Sequence, residues 1–308
     1  MARPGQGRER GISCPQTMAD GRTPGGVELD RRELDRVEKR FWRDIWESVP
    51  AATAAEHGVE LGSFGPVQAT IATALAPVGM MNLVLGATAP GALEDGHLAA
   101  AAEWVRSRDV DSYVPVTPAL PETEPTGQWL ADSGFSPARA WMKFVRDPHP
   151  PRFAVPDDIE VVEVTDPEQE PFGMIAATGF GLPAWAASFF ADLPGREGWR
   201  CYVARLDGRA QACGAMLLQG GLAEFGIGAT LEPARGRGCQ RALLHRRIVD
   251  AAAAGCRTLF VETGERVPDR PSASYKNILR AGFEEAYLRP NWQPRTSRTV
   301  TPSLGSSE

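Results

Sequence analysis

The stretch Thr230-Leu231-Glu232-Pro233-Ala234-Arg235-Gly236-Arg237-Gly238-Cys239-Gln240-Arg241-Ala242-Leu243-Leu244 decides how the chain reads. It has the pattern of a strand end, a tight turn rich in Gly and Arg, and the first turns of a helix running to about Ala254. Two glycines let successive backbone N–H groups curl toward one concavity. The helix that follows adds its unpaired first N–H groups and the positive end of its dipole, which together suit a phosphate or diphosphate. Arg235, Arg237 and Arg241 place full positive charges around that concavity.

Working outward, Leu222 to Leu231 reads as a strand, and Ala242, Leu243, Ile248, Val249 and Ala252 keep helical spacing. Next come a second strand, Thr258 to Thr263, and a helix through Ile278 and Leu279 that stops at Gly282-Phe283. This order resembles the GNAT superfamily of acyl-CoA-dependent N-acyltransferases, whose phosphate loop is written Arg/Gln-x-x-Gly-x-Gly/Ala. Arg235-Gly236-Arg237-Gly238-Cys239-Gln240 fits that form except at its end, where Gln240 replaces a small residue. The likeness runs from Ile159 to Trp292.

The segment before it repeats the same order. A helix through Leu98 and Val105, a strand from Asp111 to Thr117, a helix to Asp132, Gly134-Phe135 and a strand from Ala140 to Val145 match the later elements one by one. Here Leu85 to Gly91 stands in place of the loop, without its arginines or spaced glycines. The expectation is therefore an α/β (α+β, mixed-sheet) protein of two tandem GNAT-like domains, each with a mostly antiparallel central sheet flanked by helices. The first, 29–147, is degenerate; a proline-rich linker, 148–158, leads to the catalytic copy, 159–294. Residues 1–28 and 295–308 read as loose tails, with Met18 an alternative start. Leu34, Val37, Phe41, Ile45 and Val49 mark an amphipathic helix that opens the first copy.

The chain has 308 residues, a net charge of −6 and five cysteines, at 14, 201, 213, 239 and 256. The acidic balance argues against a general nucleic-acid surface, so the basic loop reads as a local site. No apolar run reaches the roughly 20 residues of a membrane span, and the start lacks a signal-peptide core. Neither the cysteines nor the histidines have metal-ligand spacing. A reduced, cytoplasmic protein without a metal is expected.

The resemblance implies acetyl-CoA or another acyl-CoA as co-substrate and a small-molecule or peptide amine as acceptor, in a ternary complex. Arg235, Gly236, Arg237, Gly238, Cys239, Gln240 and Arg241 would hold the diphosphate. The strand edge at Ala229, Thr230 and Leu231 would pair with the pantetheine arm, and Asn277 would bond its amides. Glu224 stands where many family members carry a catalytic carboxylate. Period-two alternation puts it on one face with Gly226, Gly228 and Thr230, which would leave open space for a substrate; the alternative is an arginine partner at the cleft mouth. The family's tyrosine before the Gly-Phe pair is Ile278 here, and Tyr275 lies one turn earlier, as a displaced acid or as a packing residue.

Trp185, Phe189 and Phe190 suit either an apolar acceptor or the core, Cys239 a nucleophile or a filler, and Glu262 a second carboxylate or a salt bridge. The first copy would serve as scaffold, acceptor wall or homodimer contact. Other CoA-thioester chemistry, and acyl-CoA binding without turnover, remain as alternatives.

Overall fold

A computed structural model describes residues 23, 26, 27, 29–166, 171–267 and 272–295. Residues of the expected tails other than 23, 26, 27 and 295 lie outside the described residues. The chain opens with α1 (Arg31–Glu47), whose N-cap Asp30 accepts hydrogen bonds from the N–H groups of Arg32 and Glu33. After α2 (Ala51–His57), strands β1 (Val59–Phe64), β2 (Val67–Ala72) and β3 (Leu83–Leu85) form an antiparallel sheet. Then follow α3 (His97–Arg106), β4 (Val114–Pro115), α4 (Thr123–Asp132) and β5 (Phe135–Arg146). The second copy contains β6 (Ile159–Val164), α5 (Phe172–Gly179), α6 (Ser188–Ala191), β7 (Trp199–Leu206), β8 (Arg209–Gln219) and β9 (Leu222–Thr230). It ends with α7 (Cys239–Ala253), β10 (Thr258–Gly264), α8 (Ala273–Arg280) and β11 (Glu284–Pro294). The last strand runs to Pro294 because it has two partners to pair with.

The second sheet has the order β4-β11-β5-β10-β9-β8-β7-β6. Its middle is an exchange: β5 pairs with β10 and β11, and β11 pairs with β4 and β5. Each copy's last strand thus inserts between the last two strands of the other, relating the copies by a pseudo-twofold between β5 and β11. The Gly-Phe pairs sit at equivalent corners. Gly134 and Gly282 take left-handed φ of +83° and +81°, Phe135 and Phe283 are buried, and Arg106 and Arg146 lie over their respective rings. Val84 N–H donates to Tyr113 O and Tyr113 N–H to Asn82 O, an isolated parallel bridge that joins the edge of the first sheet to the segment leading into β4.

Helix α1 lies across the seam. Its apolar stripe, Leu34, Val37, Phe41 and Ile45, is buried as the spacing predicts. On one side Trp46 Nε1 donates to Ile71 O (3.0 Å) and Lys39 Nζ to Pro66 O (2.8 Å). On the other, Trp199 Nε1 donates to Asp44 (2.9 Å), Arg40 donates to Glu197 O (2.7 Å), and Glu33 pairs with Arg257. One helix therefore clamps both copies on the same sheet face. Helix α7 covers the opposite face over β6 to β9.

Within the second copy, β9 carries one residue more than β8: Ala215 faces Gly226, but Cys213 faces Ala229. The extra residue is a bulge at Ile227, whose φ is +52°. A β-branched residue there carries strain of about 1–2 kcal/mol. Two side chains of α7 hold the bulge from below. Arg247 donates to Ala215 O (2.9 Å) and Gly226 O (3.2 Å), and Gln240 Nε2 donates to Ala229 O (2.8 Å), Cys213 O and Thr230 Oγ1 (3.1 Å each). These bonds satisfy backbone groups that the irregular ladder leaves over.

The bulge also overturns the simple alternation. Glu224 and Gly226 face α1, whereas Gly228 and Thr230 turn toward Gln240 on the α7 side. The space at Gly226 is not open, since a Cβ there would lie 2.3 Å from the Phe41 ring. Arg247 is buried, and burial pulls its pKa down to about 10, so it remains a cation bonded to carbonyls. Replacing Arg247 with Met should lower the unfolding free energy by about 2–4 kcal/mol, the cost of leaving two buried carbonyls unmet. Urea denaturation checks this; unchanged stability would remove Arg247 as the bulge's support.

Candidate functional site

β9 and β10 run parallel and paired only from Leu222↔Thr258 to Phe225↔Val261. Beyond that pair they part, so Gly226 to Thr230 has β8 on one side and no strand on the other. A parting of this kind leaves backbone donors and acceptors available to an extended ligand. Ala229, Thr230 and Leu231 lie on this segment as expected, though Ala229 O is already taken by Gln240 and Leu231 N–H by Gln211 O.

The loop that follows has the geometry its glycines imply. Gly236 and Gly238 adopt φ of +77° and +98°, and Gly238 is the N-cap of α7 without any side-chain cap. Arg235, Gly236, Arg237 and Arg241 are exposed, and Arg237 pairs with Asp158 at 3.4 Å, both side chains about half exposed. Three exposed arginines therefore flank the uncapped head of a 15-residue helix. A surface hollow of about 290 Å³ adjoins it, edged by Asp207, Arg209, Gln211 and Arg237.

Two loop residues turn inward instead. Cys239 is buried and burial raises its thiol pKa, which fits a filler and not a nucleophile. Gln240 supports β9 as described above, which is a structural reason for a long side chain where the motif has a small one.

Glu224 is buried one residue before the strands part, on the face covered by α1. Around it lies a set of charges from four elements. Arg289 of β11 makes a two-pronged pair with Glu38 of α1 and a second with Glu262 of β10 (2.7 Å). Lys143 of β5 lies 3.1 Å from Glu38 and 3.0 Å from Glu262. Half-buried Asp35 accepts from Thr117 Oγ1 (2.9 Å).

Four carboxyls thus share two cations, and the deficit falls unevenly. Burial alone would raise Glu38, yet Arg289 and Lys143 hold it at about 2. Burial lifts Asp35 to about 6 against the pull of Arg289. Burial also pushes Glu224 well above the carboxylate range, with Lys143 opposing and Glu38 and Glu262 reinforcing; its Oε2 has no hydrogen-bond partner. An arginine partner for Glu224 at the cleft mouth is not what the structure shows, and Glu262 lies in the ion pairs.

Tyr275 belongs to the other face. Its ring packs edge-on against Phe144 at 4.8 Å, and its hydroxyl donates to Glu285 (2.5 Å). Glu224 and Tyr275 are separated by the sheet and are not brought together. Asn277 is partly exposed two residues further along α8. Phe189 and Phe190 are core residues, and Trp185 stacks on His57 of the first copy at 4.0 Å.

Sequence reasoning missed Glu38, Lys143 and Arg289. The signal was present: Glu38 falls within the apolar stripe of α1, and Lys143 interrupts the run Ala140-Trp141-Met142-Lys143-Phe144-Val145.

The first copy has no equivalent site. Its loop before α3 ends in Glu94-Asp95-Gly96, so with Gly96 matched to Gly238 an acid, Asp95, stands where the second copy has Arg237. Where β3 and β4 part there is a cavity of only about 10 Å³, room for roughly one water. No group of three or more His, Cys, Asp or Glu among the described residues could hold a metal, and no described helix is long and apolar enough to cross a membrane.

No family model matches the sequence, and no curated protein does. Solved structures do match. A GCN5-related N-acetyltransferase from Kribbella flavida superposes with a TM-score of 0.56 at 16% identity, over 85% of this chain and 95% of that one. Another, from Sphaerobacter thermophilus, gives 0.53 at 15% identity, over 74% and 76%. A tandem GNAT protein from the clavulanic acid biosynthesis pathway, solved without AcCoA, gives 0.52 at 16% identity, over 87% and 96%. At these identities the likeness is one of architecture: the chain carries the GNAT fold twice, in tandem.

Proposed function

We propose that the second copy binds acyl-CoA and transfers its acyl group to an amine. One observation carries the reading: a glycine-curled loop with three exposed arginines, at the uncapped head of α7, directly follows the segment where β9 leaves β10. A diphosphate at that loop would direct an extended, amide-bearing arm along Gly226 to Thr230, toward the point where the strands close. Glu224 lies just inside that point.

In the transfer the amine nitrogen attacks the thioester carbonyl. The C–N bond forms, the C–S bond breaks, and coenzyme A leaves as its thiolate. The proton lost by the amine passes to Glu224, which burial makes a stronger base by disfavouring its ionised form, through a water in the cleft because the carboxyl sits one residue inside the paired strands. Positioning supplies most of the rate, since a thiolate leaves readily without a dedicated acid. Tyr275 is not available for that role, its hydroxyl being bound to Glu285.

A second reading, acyl-CoA binding without transfer, is favoured by the cover that α1 places on the Glu224 face. Release of free CoA thiol, with and without a panel of amines, separates the two. Amine-dependent release supports transfer, amine-independent release supports hydrolysis, and binding without release supports the second reading.

Gly238→Leu adds left-handed strain of about 1–2 kcal/mol and puts a Cβ 2.7 Å from the Pro156 ring. Calorimetric titration should show acyl-CoA affinity falling about tenfold or more; an unaltered Kd would refute the loop assignment. Glu224→Gln should cut kcat by about a hundredfold with the acyl-CoA Kd unchanged, and full activity would exclude it as base. Tyr275→Phe should leave steady-state turnover intact, and a large loss would restore it as a candidate acid.

A further inference from the structure

Lys143 is encoded in the first copy and lies among the carboxylates of the second. On one face of three neighbouring strands, β9 carries Glu224, β10 carries Glu262 and β5 carries Lys143. Lys143 is the direct cross-strand partner of Glu262, while Glu224 pairs with Phe260, one pleat away. The ammonium is fully enclosed, 3.0 Å from Glu262, 3.1 Å from Glu38 and 5.5 Å from the centre of the Phe260 ring, whose residue is the cross-strand partner of Glu224. The other ionisable groups facing this space are Glu38 and Asp35 from α1, and Arg289 and Tyr287 from β11. Arg289 is committed to Glu38 and Glu262, and of the two cations Lys143 acts on Glu224 the more strongly.

We propose that Lys143 is a positioning residue for the second copy's reaction: across the strand exchange, the first copy supplies the positive charge against which the Glu224 carboxyl ionises. The inference rests on the acyl-transfer reading for the use made of Glu224, but the charge coupling can be measured without turnover. It also assigns the degenerate copy a chemical part, since without β5 the second copy has neither the strand beside β10 nor this cation.

The test is a carbon-13 NMR titration of glutamate-labelled protein, with the Glu224 signal assigned by its loss in Glu224→Gln. An opposite charge favours the ionised form, so Lys143→Met should move the Glu224 midpoint upward by roughly one pH unit or more. Lys143→Arg should restore it. Glu262→Gln removes a like charge and should move the midpoint downward. The acid limb of kcat/KM should shift with each midpoint, which a merely structural loss of activity would not produce.

A midpoint unmoved in Lys143→Met overturns the inference. If that variant does not fold, Lys143→Gln, which keeps a polar group between Glu38 and Glu262 without the charge, decides: an unmoved midpoint overturns the inference and a raised one supports it. A wild-type protein that never turns over removes the acyl-transfer reading and with it any part for Lys143 in a reaction. A static midpoint in an active enzyme removes the Lys143 inference alone.

Discussion

Burying charge is costly unless it finds a partner, and the seam between the two copies gathers seven ionisable side chains, Asp35, Glu38, Lys143, Glu224, Glu262, Tyr287 and Arg289, five of them buried. Arg289 and Lys143 are each gripped by Glu38 and Glu262, and no two of these residues lie on the same element. The arrangement closes only when α1, β5, β10 and β11 are all in place. Removing one partner would strand a charge at a cost of several kcal/mol, so the network penalises any arrangement in which the strands are not exchanged. Apolar packing alone tolerates slippage; a two-pronged guanidinium pair does not.

That requirement shapes the site. Because β5 occupies the edge of β10 that faces away from β9, β10 is held on that side along its whole length and parts from β9 on the other. The bulge at Ile227 turns β9 away at the same place, and Gln240 and Arg247 hold it turned. One helix, α7, therefore does two things at once. Its uncapped head carries the exposed arginines of the loop before it, and two side chains along its length keep open the strand edge beside it.

The two copies have diverged by electrostatics more than by architecture. Both retain a left-handed glycine at the head of the helix that follows the parting strands, Gly96 and Gly238. What differs is the charge before it, Glu94 and Asp95 in one copy against Arg235 and Arg237 in the other. A phosphate would be repelled from the first and attracted to the second.

Much of this was legible from residue order. The loop, the long helix behind it, the repeated Gly-Phe corners and the apolar stripe of α1 all depend on interactions within a few residues of chain, so spacing and turn chemistry reveal them. The face on which Gly228 and Thr230 lie was not legible, because a single inserted residue, held in a strained conformation by a helix further along the chain, reverses the alternation. Nor was the role of Glu38, Lys143 and Arg289, which each look like a misplaced charge until distant segments bring them together. The sequence by itself determined the tandem fold and the glycine-curled, arginine-rich loop at the head of α7. Tertiary structure alone decided that the copies exchange strands, that Phe41 fills the space at Gly226, and that Glu224 sits among charges drawn from both copies, because those outcomes depend on pairings between segments far apart in the chain.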